Sequence, residues 1–231
     1  MVFLTIGHIF AQNKYRHNLS RNKKLARFAE FSTFPNTYEK SEGLKSNWQT
    51  KVFNNNSPIV LELAAGKAEY TVGMSRLFPN KNFVAIDKKG NRLWVGAKKT
   101  QEEKLVNTAF ARTQIDFLTD WFGPAEVDEI WIIHPDPQID KARKRLTGPM
   151  FIARYREILK PGGVIHLKTD STLLYEYTLE IIAEQKLKLI SHHADIYNAE
   201  LYNDVLAIKT YYEQMFTAKG ETIKYISFTL D

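Results

Sequence analysis

The chain contains no cysteine. That excludes a disulfide scaffold, cysteine-ligated zinc, iron–sulfur clusters and thiol catalysis, and it favours a reducing compartment. Long apolar runs are also missing. Met1 to Phe10 is the longest N-terminal apolar stretch, yet it contains Gly7 and His8. It is too short to span a bilayer, no basic residue precedes it and no small-residue cleavage site follows it. The expected location is therefore cytoplasmic, without a membrane partner. Acidic residues are absent from residues 1–29, which hold Lys14, Arg16, Arg21, Lys23, Lys24 and Arg27. With those six set aside, 26 Lys and Arg balance 26 Asp and Glu, so the whole surplus of +6 sits at one end. A basic arm on a neutral body suggests an anionic partner; the plainer alternative is a solubilising tail.

What is present is the composition of an ordinary globular domain. Of 231 residues, 44% are hydrophobic and 25% charged, enough to bury a sizeable core and too apolar for disorder. Residues 1–57 show little periodicity and end in the polar run Asn54-Asn55-Asn56-Ser57-Pro58. They read as a basic N-terminal arm, with a single domain over 58–231. Seven apolar runs from Ile59 onward read as strands: Ile59 to Leu63, Phe83 to Asp87, Asn107 to Arg112, Val127 to His134, Val164 to Lys168, Leu187 to Asp195 and Thr222 to Leu230. Helical spacing fills 68–78, 89–103, 149–159, 171–185 and 209–218, and Pro149 takes the favoured first position of its helix. Lys160-Pro161-Gly162-Gly163 reads as a turn. Strands alternating with helices mean βαβ units, hence an α/β fold with a mostly parallel seven-stranded sheet and helices on both faces.

In such sheets ligands bind beyond the carboxyl ends of the strands. After the first strand, Glu62-Leu63-Ala64-Ala65-Gly66-Lys67-Ala68 forms a small-residue turn that lets a ligand approach the backbone. Asp87 ends the next strand, where a carboxylate can accept from both hydroxyls of a ribose. The pair suits a dinucleotide or S-adenosylmethionine. Gly66 is the only glycine of the loop, which disfavours the dinucleotide, and an ordinary strand–helix turn remains the plain alternative. Two prolines bracket Asp136 in His134-Pro135-Asp136-Pro137-Gln138 and aim its carboxylate at the mouth of the sheet. The basic run from Lys141 to Arg145 follows, on the same rim, where phosphate contact competes with a merely solvated face. Lys168-Thr169-Asp170 is a third site. Thr210-Tyr211-Tyr212-Glu213 is a fourth and also matches a capping box. His192 and His193 point to opposite faces of a strand and lack a third ligand, so no metal is expected.

Taken in order, Leu25 to Glu30, Glu62 to Lys67, Pro135-Asp136-Pro137, Lys144 to Thr147, Leu159 to Gly163, Lys168-Thr169-Asp170 and Thr210-x-x-Glu213 resemble the bacterial tRNA (guanine-N7-)-methyltransferases. The match runs from about Arg21 to the C-terminus; residues 1–20 match nothing in the family. The resemblance implies a Rossmann-like S-adenosylmethionine-dependent methyltransferase fold, acting on a guanine of the tRNA variable loop; the sequence leaves monomer and homodimer open. It places Glu62, Gly66, Asp87, Gln114 and Asp136 at the cofactor, with Asp136 also at the guanine. It places Lys141, Asp170, Thr210, Tyr211, Tyr212 and Glu213 at the nucleotide substrate. Three departures stand out. The family's first loop is usually Gly-x-Gly-x-Gly, and the added Cβ atoms of Ala64 and Ala68 are expected to crowd the methionine end of the cofactor. Gln138 stands where Trp is frequent. Asp140 stands where a substrate-contacting Lys is usual, with Lys141 its substitute. A small-molecule methyltransferase and a catalytically weak RNA-binding relic of the fold are the alternatives.

Overall fold

The computed structural model describes residues 22–231. Lys14, Arg16 and Arg21 of the basic arm lie outside the described residues. An eight-stranded sheet forms the centre, in the order β1-β4-β3-β2-β5-β6-β8-β7. The strands are β1 (Thr37–Tyr38), β2 (Ile59–Leu63), β3 (Asn82–Asp87), β4 (Thr108–Arg112), β5 (Val127–Ile133), β6 (Leu159–Thr169), β7 (Lys188–His193) and β8 (Lys224–Thr229). All neighbouring pairs are parallel except those of β8, which runs antiparallel to both β6 and β7. The seven expected strands are all present. The eighth, β1, is a two-residue strand whose Thr37 pairs with Phe110 of β4. It escapes periodicity because two residues carry no alternation.

The helices are α1 (residues 22–31), α2 (Glu69–Leu77), α3 (Gly90–Glu102), α4 (Leu118–Trp121), α5 (Pro149–Ile158), α6 (Thr172–Glu184) and α7 (Tyr211–Thr217). Among the described residues no helix is long and apolar enough to cross a membrane. Strict alternation divides the strands between two cores. Ile59, Leu61, Leu63, Val84, Ile86, Ile130 and Ile132 pack on one face with Phe151 and Tyr155 of α5 and Leu174 and Ile181 of α6. On the other face Val60, Phe83 and Trp131 meet Tyr70 and Met74 of α2, and Ala85 and Phe110 meet Leu93 and Ala97 of α3. Both faces of the sheet are thus covered, as near-continuous apolar strands require.

The segment read as an arm contributes three side chains to the interior. Phe31 at the end of α1 and Trp48 are fully buried, and Leu44 nearly so. Trp48 stacks on Phe122 with ring centroids 5.0 Å apart, and its Nε1–H donates to the Trp121 carbonyl. The carboxylate of Glu126 accepts from the backbone N–H groups of Ser46, Trp48 and Gly123, pinning the segment to the start of β5. Lys160 to Gly163 differs from the expected turn. These residues bulge within β6, between Leu159 paired with Val127 and Val164 paired with Glu129, and Gly162 adopts φ +74°.

Candidate active site

The strand order reverses between β2 and β5, the two strands that share the middle of the sheet. A cavity of about 510 Å³ opens there, at the carboxyl ends of the strands. Ala64 after β2, Asp87 ending β3, Gln114 after β4, and Asp136 and Lys141 after β5 all line it. The sequence assigns roles to Asp87, Gln114, Asp136 and Lys141 among these, and its basic run puts Lys144 on the same rim, where it also lines the cavity. Lys88, Lys89 and Arg92, which it does not single out, complete a cationic wall.

The first loop keeps the backbone of a glycine-rich turn with a single glycine, Gly66. Ala64, Gly66 and Ala68 have φ of 55°, 57° and 56°. Left-handed backbone at a non-glycine residue costs roughly 1–2 kcal/mol. The tightness of the turn is fixed by hydrogen bonds: the Ala65 N–H donates to the Ile86 carbonyl and the Gly66 N–H to Oδ2 of Asp87. Ala68 does not reach the cavity. It is fully buried, and a Cβ at Gly96 of α3 would lie 2.8 Å from its own, so Gly96 makes the room for it. The expected crowding therefore reduces to Ala64.

Asp87 is almost buried, and its Oδ1 accepts from the Lys89 N–H. Its carboxylate is held rigidly from below by two backbone donors, with one edge on the cavity. Glu62 takes a different place. It is buried beneath α2, where Oε2 accepts from both the N–H and the hydroxyl of Thr71, and it does not line the cavity. Burial pushes its carboxyl up to about 8, against the smaller opposing effect of the Thr71 hydrogen bonds, so the group holds its proton at neutral pH. Gly66 serves the site through its N–H on Asp87.

The Asp136 turn leaves β5 abruptly. His134 and Gln138 adopt φ of 43° and 49° on either side of Pro135-Asp136-Pro137. Oδ1 of Asp136 accepts from the Gln138 N–H, while the side chain remains exposed at the cavity. Such left-handed backbone, roughly 1–3 kcal/mol each, persists only where the surroundings enforce it. Arg145 supplies part of that enforcement. It is buried, donates to the carbonyls of Pro137 and Ile139, and lies over the Tyr177 ring. Of the four basic residues in this run, then, Arg145 faces inward; Lys141 and Lys144 line the cavity and Arg143 is exposed.

Behind the turn lies a buried charged network. Nδ1 of His134 is 3.0 Å from Oδ1 of Asp170, and Nε2 is 3.4 Å from Oε2 of Glu213. The same Glu213 oxygen is 2.8 Å from Nζ of Lys168, and the Tyr197 hydroxyl donates to Glu213 Oε1. Lys168 directs its other donors to the carbonyls of Leu206 and Ile208. Burial alone would lower the His134 pKa, but its hydrogen bonds to Asp170 and Glu213 hold it above the ordinary value. Burial would likewise raise both carboxyls, yet hydrogen bonding to His134, with the Lys168 charge added at Glu213, holds them below theirs. Burial brings Lys168 down to about 8, against the Glu213 charge.

The capping box is half formed. Thr210 Oγ1 accepts from the Glu213 N–H, but the Glu213 side chain turns into the network instead of back to the Thr210 backbone. Thr210 and Glu213 are buried, while Tyr211 and Tyr212 are exposed. Lys67 lies 4.0 Å from the Tyr211 ring centre, and Arg92 hydrogen-bonds the Tyr212 hydroxyl beside the cavity. Asp170, its side chain 27% exposed, does not line the cavity and is joined to it through His134, which does. The sequence places His134 in the Asp136 motif but gives it no role; the available signal was a titratable residue directly before the proline-bracketed Asp.

Residues 56–226 match a family model described as a putative methyltransferase. The tRNA (guanine-N(7)-)-methyltransferase of Bacteroides thetaiotaomicron is 44% identical over 215 residues, covering 90% of this chain and 85% of that protein. The enzyme of the same name from Porphyromonas gingivalis is 49% identical over 188 residues, covering 81% and 77%. That of Bacillus subtilis is 33% identical, covering 78% and 83%. Among solved structures, the 16S rRNA methyltransferase KamB superposes with a TM-score of 0.60 at 14% identity, covering 78% of this chain and 90% of that one. A mutant of the 16S rRNA (adenine(1408)-N(1))-methyltransferase from Catenulisporales acidiphilia, solved with cosubstrate SAM, gives 0.54 at 12%, covering 81% and 92%. At such identities the likeness is one of fold.

Proposed function

The chain belongs to the tRNA (guanine-N(7)-)-methyltransferase family, and from that premise we propose that it transfers the methyl group of S-adenosylmethionine to N7 of a guanine in the variable loop of tRNA. The observation that carries the reading is that Asp87 and Asp136, from strand ends on either side of β2, line one cavity at the switch point of the sheet. The cofactor fits the residues present: a rigid, backbone-anchored carboxylate suits a ribose diol, and the left-handed turn from Ala64 to Ala68 suits close approach of a ligand to main chain. When bound, S-adenosylmethionine supplies an electrophilic sulfonium methyl.

Asp87 accepts from the ribose hydroxyls, Gln114 adds a contact from the end of β4, and Glu62 supports the site from beneath by fixing α2. Guanine N7 carries a free in-plane lone pair, so no residue needs to act as a base. Asp136 accepts from guanine N1–H and the exocyclic amine, which orients the ring and favours the positive charge growing on it. The remaining work is alignment, worth up to ~7–11 kcal/mol. Asp170, Tyr211 and Tyr212 border the nucleotide, with Thr210 and Glu213 acting from behind them, and Lys141 meets phosphate on the rim. The exposed Lys23, Lys24 and Arg27 of α1 add further phosphate contacts.

The test is incubation with methyl-labelled S-adenosylmethionine and tRNA lacking 7-methylguanosine, followed by nucleoside analysis and mapping. Label in 7-methylguanosine of the variable loop is expected. Label confined to another nucleoside, or tRNA binding without cofactor binding, would overturn the reading.

A further inference from the structure

His134 touches two carboxylates, one through each ring nitrogen. A carboxylate only accepts, so an imidazole bonded to one at both ends carries a proton on each nitrogen and is an imidazolium. Its side chain is 3% exposed, so water does not screen this arrangement. The residue also begins the Asp136 turn in left-handed backbone, with its own N–H on the Lys168 carbonyl. One cation therefore ties together three separate pieces of chain: the turn after β5, Asp170 after β6 and Glu213 on α7.

We propose that His134 is a positioning residue for methyl transfer: its imidazolium bridges Asp170 and Glu213, and so holds the Asp136 turn and the substrate-facing edge of Asp170 in one arrangement. The proposal rests on the methyltransferase reading above. Loss of the proton removes one of the two bonds, leaves two carboxylates facing a neutral ring, and releases the turn. Activity then falls as the imidazolium titrates towards alkaline pH. The groups facing the ring set where this happens. Asp170 and Glu213 hold the proton on, while Lys168 at Glu213 and Lys224, whose Nζ lies on the Asp170 carbonyl, act against it. Tyr197 donates to Glu213 and stays neutral, its pKa raised by burial and by Glu213, and Phe216 packs on the ring.

The experiment pairs single-turnover methyl transfer with NMR of histidine-labelled protein, both from neutral to alkaline pH. For the wild type, both His134 nitrogens are expected to be protonated at neutral pH, and the rate is expected to fall with the apparent pKa at which that signal titrates. His134→Gln, whose two donors share one nitrogen and carry no charge, cannot take the place of both ring nitrogens, and is expected to lose roughly a hundredfold in rate at neutral pH, as small misplacements of reacting groups do. Its tRNA affinity should hardly change, and its alkaline fall should vanish. A wild-type imidazole that is neutral at neutral pH would overturn the proposal, whether or not the variant folds. So would a His134→Gln protein with the rate and pH profile of the wild type. A wild type that methylates no tRNA while His134 titrates as expected would sink the functional reading instead.

Discussion

Lys168 and Glu213 form an ion pair 2.8 Å long, with both side chains wholly excluded from solvent. It joins β6 to α7 directly behind the Asp136 turn. Desolvation makes such a pair a poor source of net stability, but removing one partner strands the other. Glu213→Ala leaves a buried ammonium and an unbalanced His134, and is expected to cost ~3–5 kcal/mol, read as a lowered urea midpoint. A midpoint within experimental error of the wild type would mean that the pair is not charged.

Glu62 makes stability depend on pH. Its folded pKa of about 8 lies above the ordinary 4.5, so the folded protein retains a proton that the unfolded chain releases. The contribution is fully present below pH 4.5 and is lost as pH rises to about 8, at up to ~1.4 kcal/mol per pH unit. Glu62→Gln removes this dependence while keeping an acceptor for Thr71. Subtracting its urea-derived stability from that of the wild type across this range isolates the slope. A flat difference would mean that Glu62 is ionised in the fold.

Seven of the eight strands, and the carboxylates Asp87 and Asp136 on the cavity, were legible in the sequence because each lies within one short segment. Apolar runs ending in Asp87, or in the proline-bracketed Asp136, announce both a strand and what stands at its end. The charged network was not legible, because Glu213 three residues after Thr210 reads locally as a capping acid, and its real partners Lys168 and His134 come from distant strand ends. Phe31 and Trp48 were hidden for a related reason: each is a single anchor in a segment without periodicity. The left-handed angles of Ala64 and Ala68 were also hidden, since alanine gives no hint of positive φ. The resemblance to a glycine-rich loop pointed to the right backbone and led to the wrong concern about Ala68, whose methyl group is absorbed at Gly96.

Asp87→Ala is expected to weaken S-adenosylmethionine binding by ~1.5–3 kcal/mol for each charge-assisted hydrogen bond removed, measured by calorimetry. The Gly66 N–H is left without its acceptor in the same variant, so Asp87→Asn should retain part of the affinity. Unchanged affinity in both would remove Asp87 from the ribose.

Lys23, Lys24 and Arg143 are exposed. Neutralising them is expected to lower tRNA affinity and to flatten its dependence on salt by ~0.7–0.9 in log–log slope for each phosphate no longer neutralised, with cofactor affinity unaffected. An unaltered slope would make the basic segment a solubilising tail.

The role of Asp136 is tested most directly by comparing single-turnover methyl transfer with equilibrium tRNA affinity in Asp136→Asn. Phosphate contacts carry most of the affinity, so binding should be nearly unchanged. An amide offers one acceptor oxygen and no charge, so the rate should fall by roughly a hundredfold to a thousandfold. The loss should be similar across neutral pH, because no base is being titrated. A variant that transfers methyl at close to the wild-type rate would contradict the account and move the orienting role to Asp170.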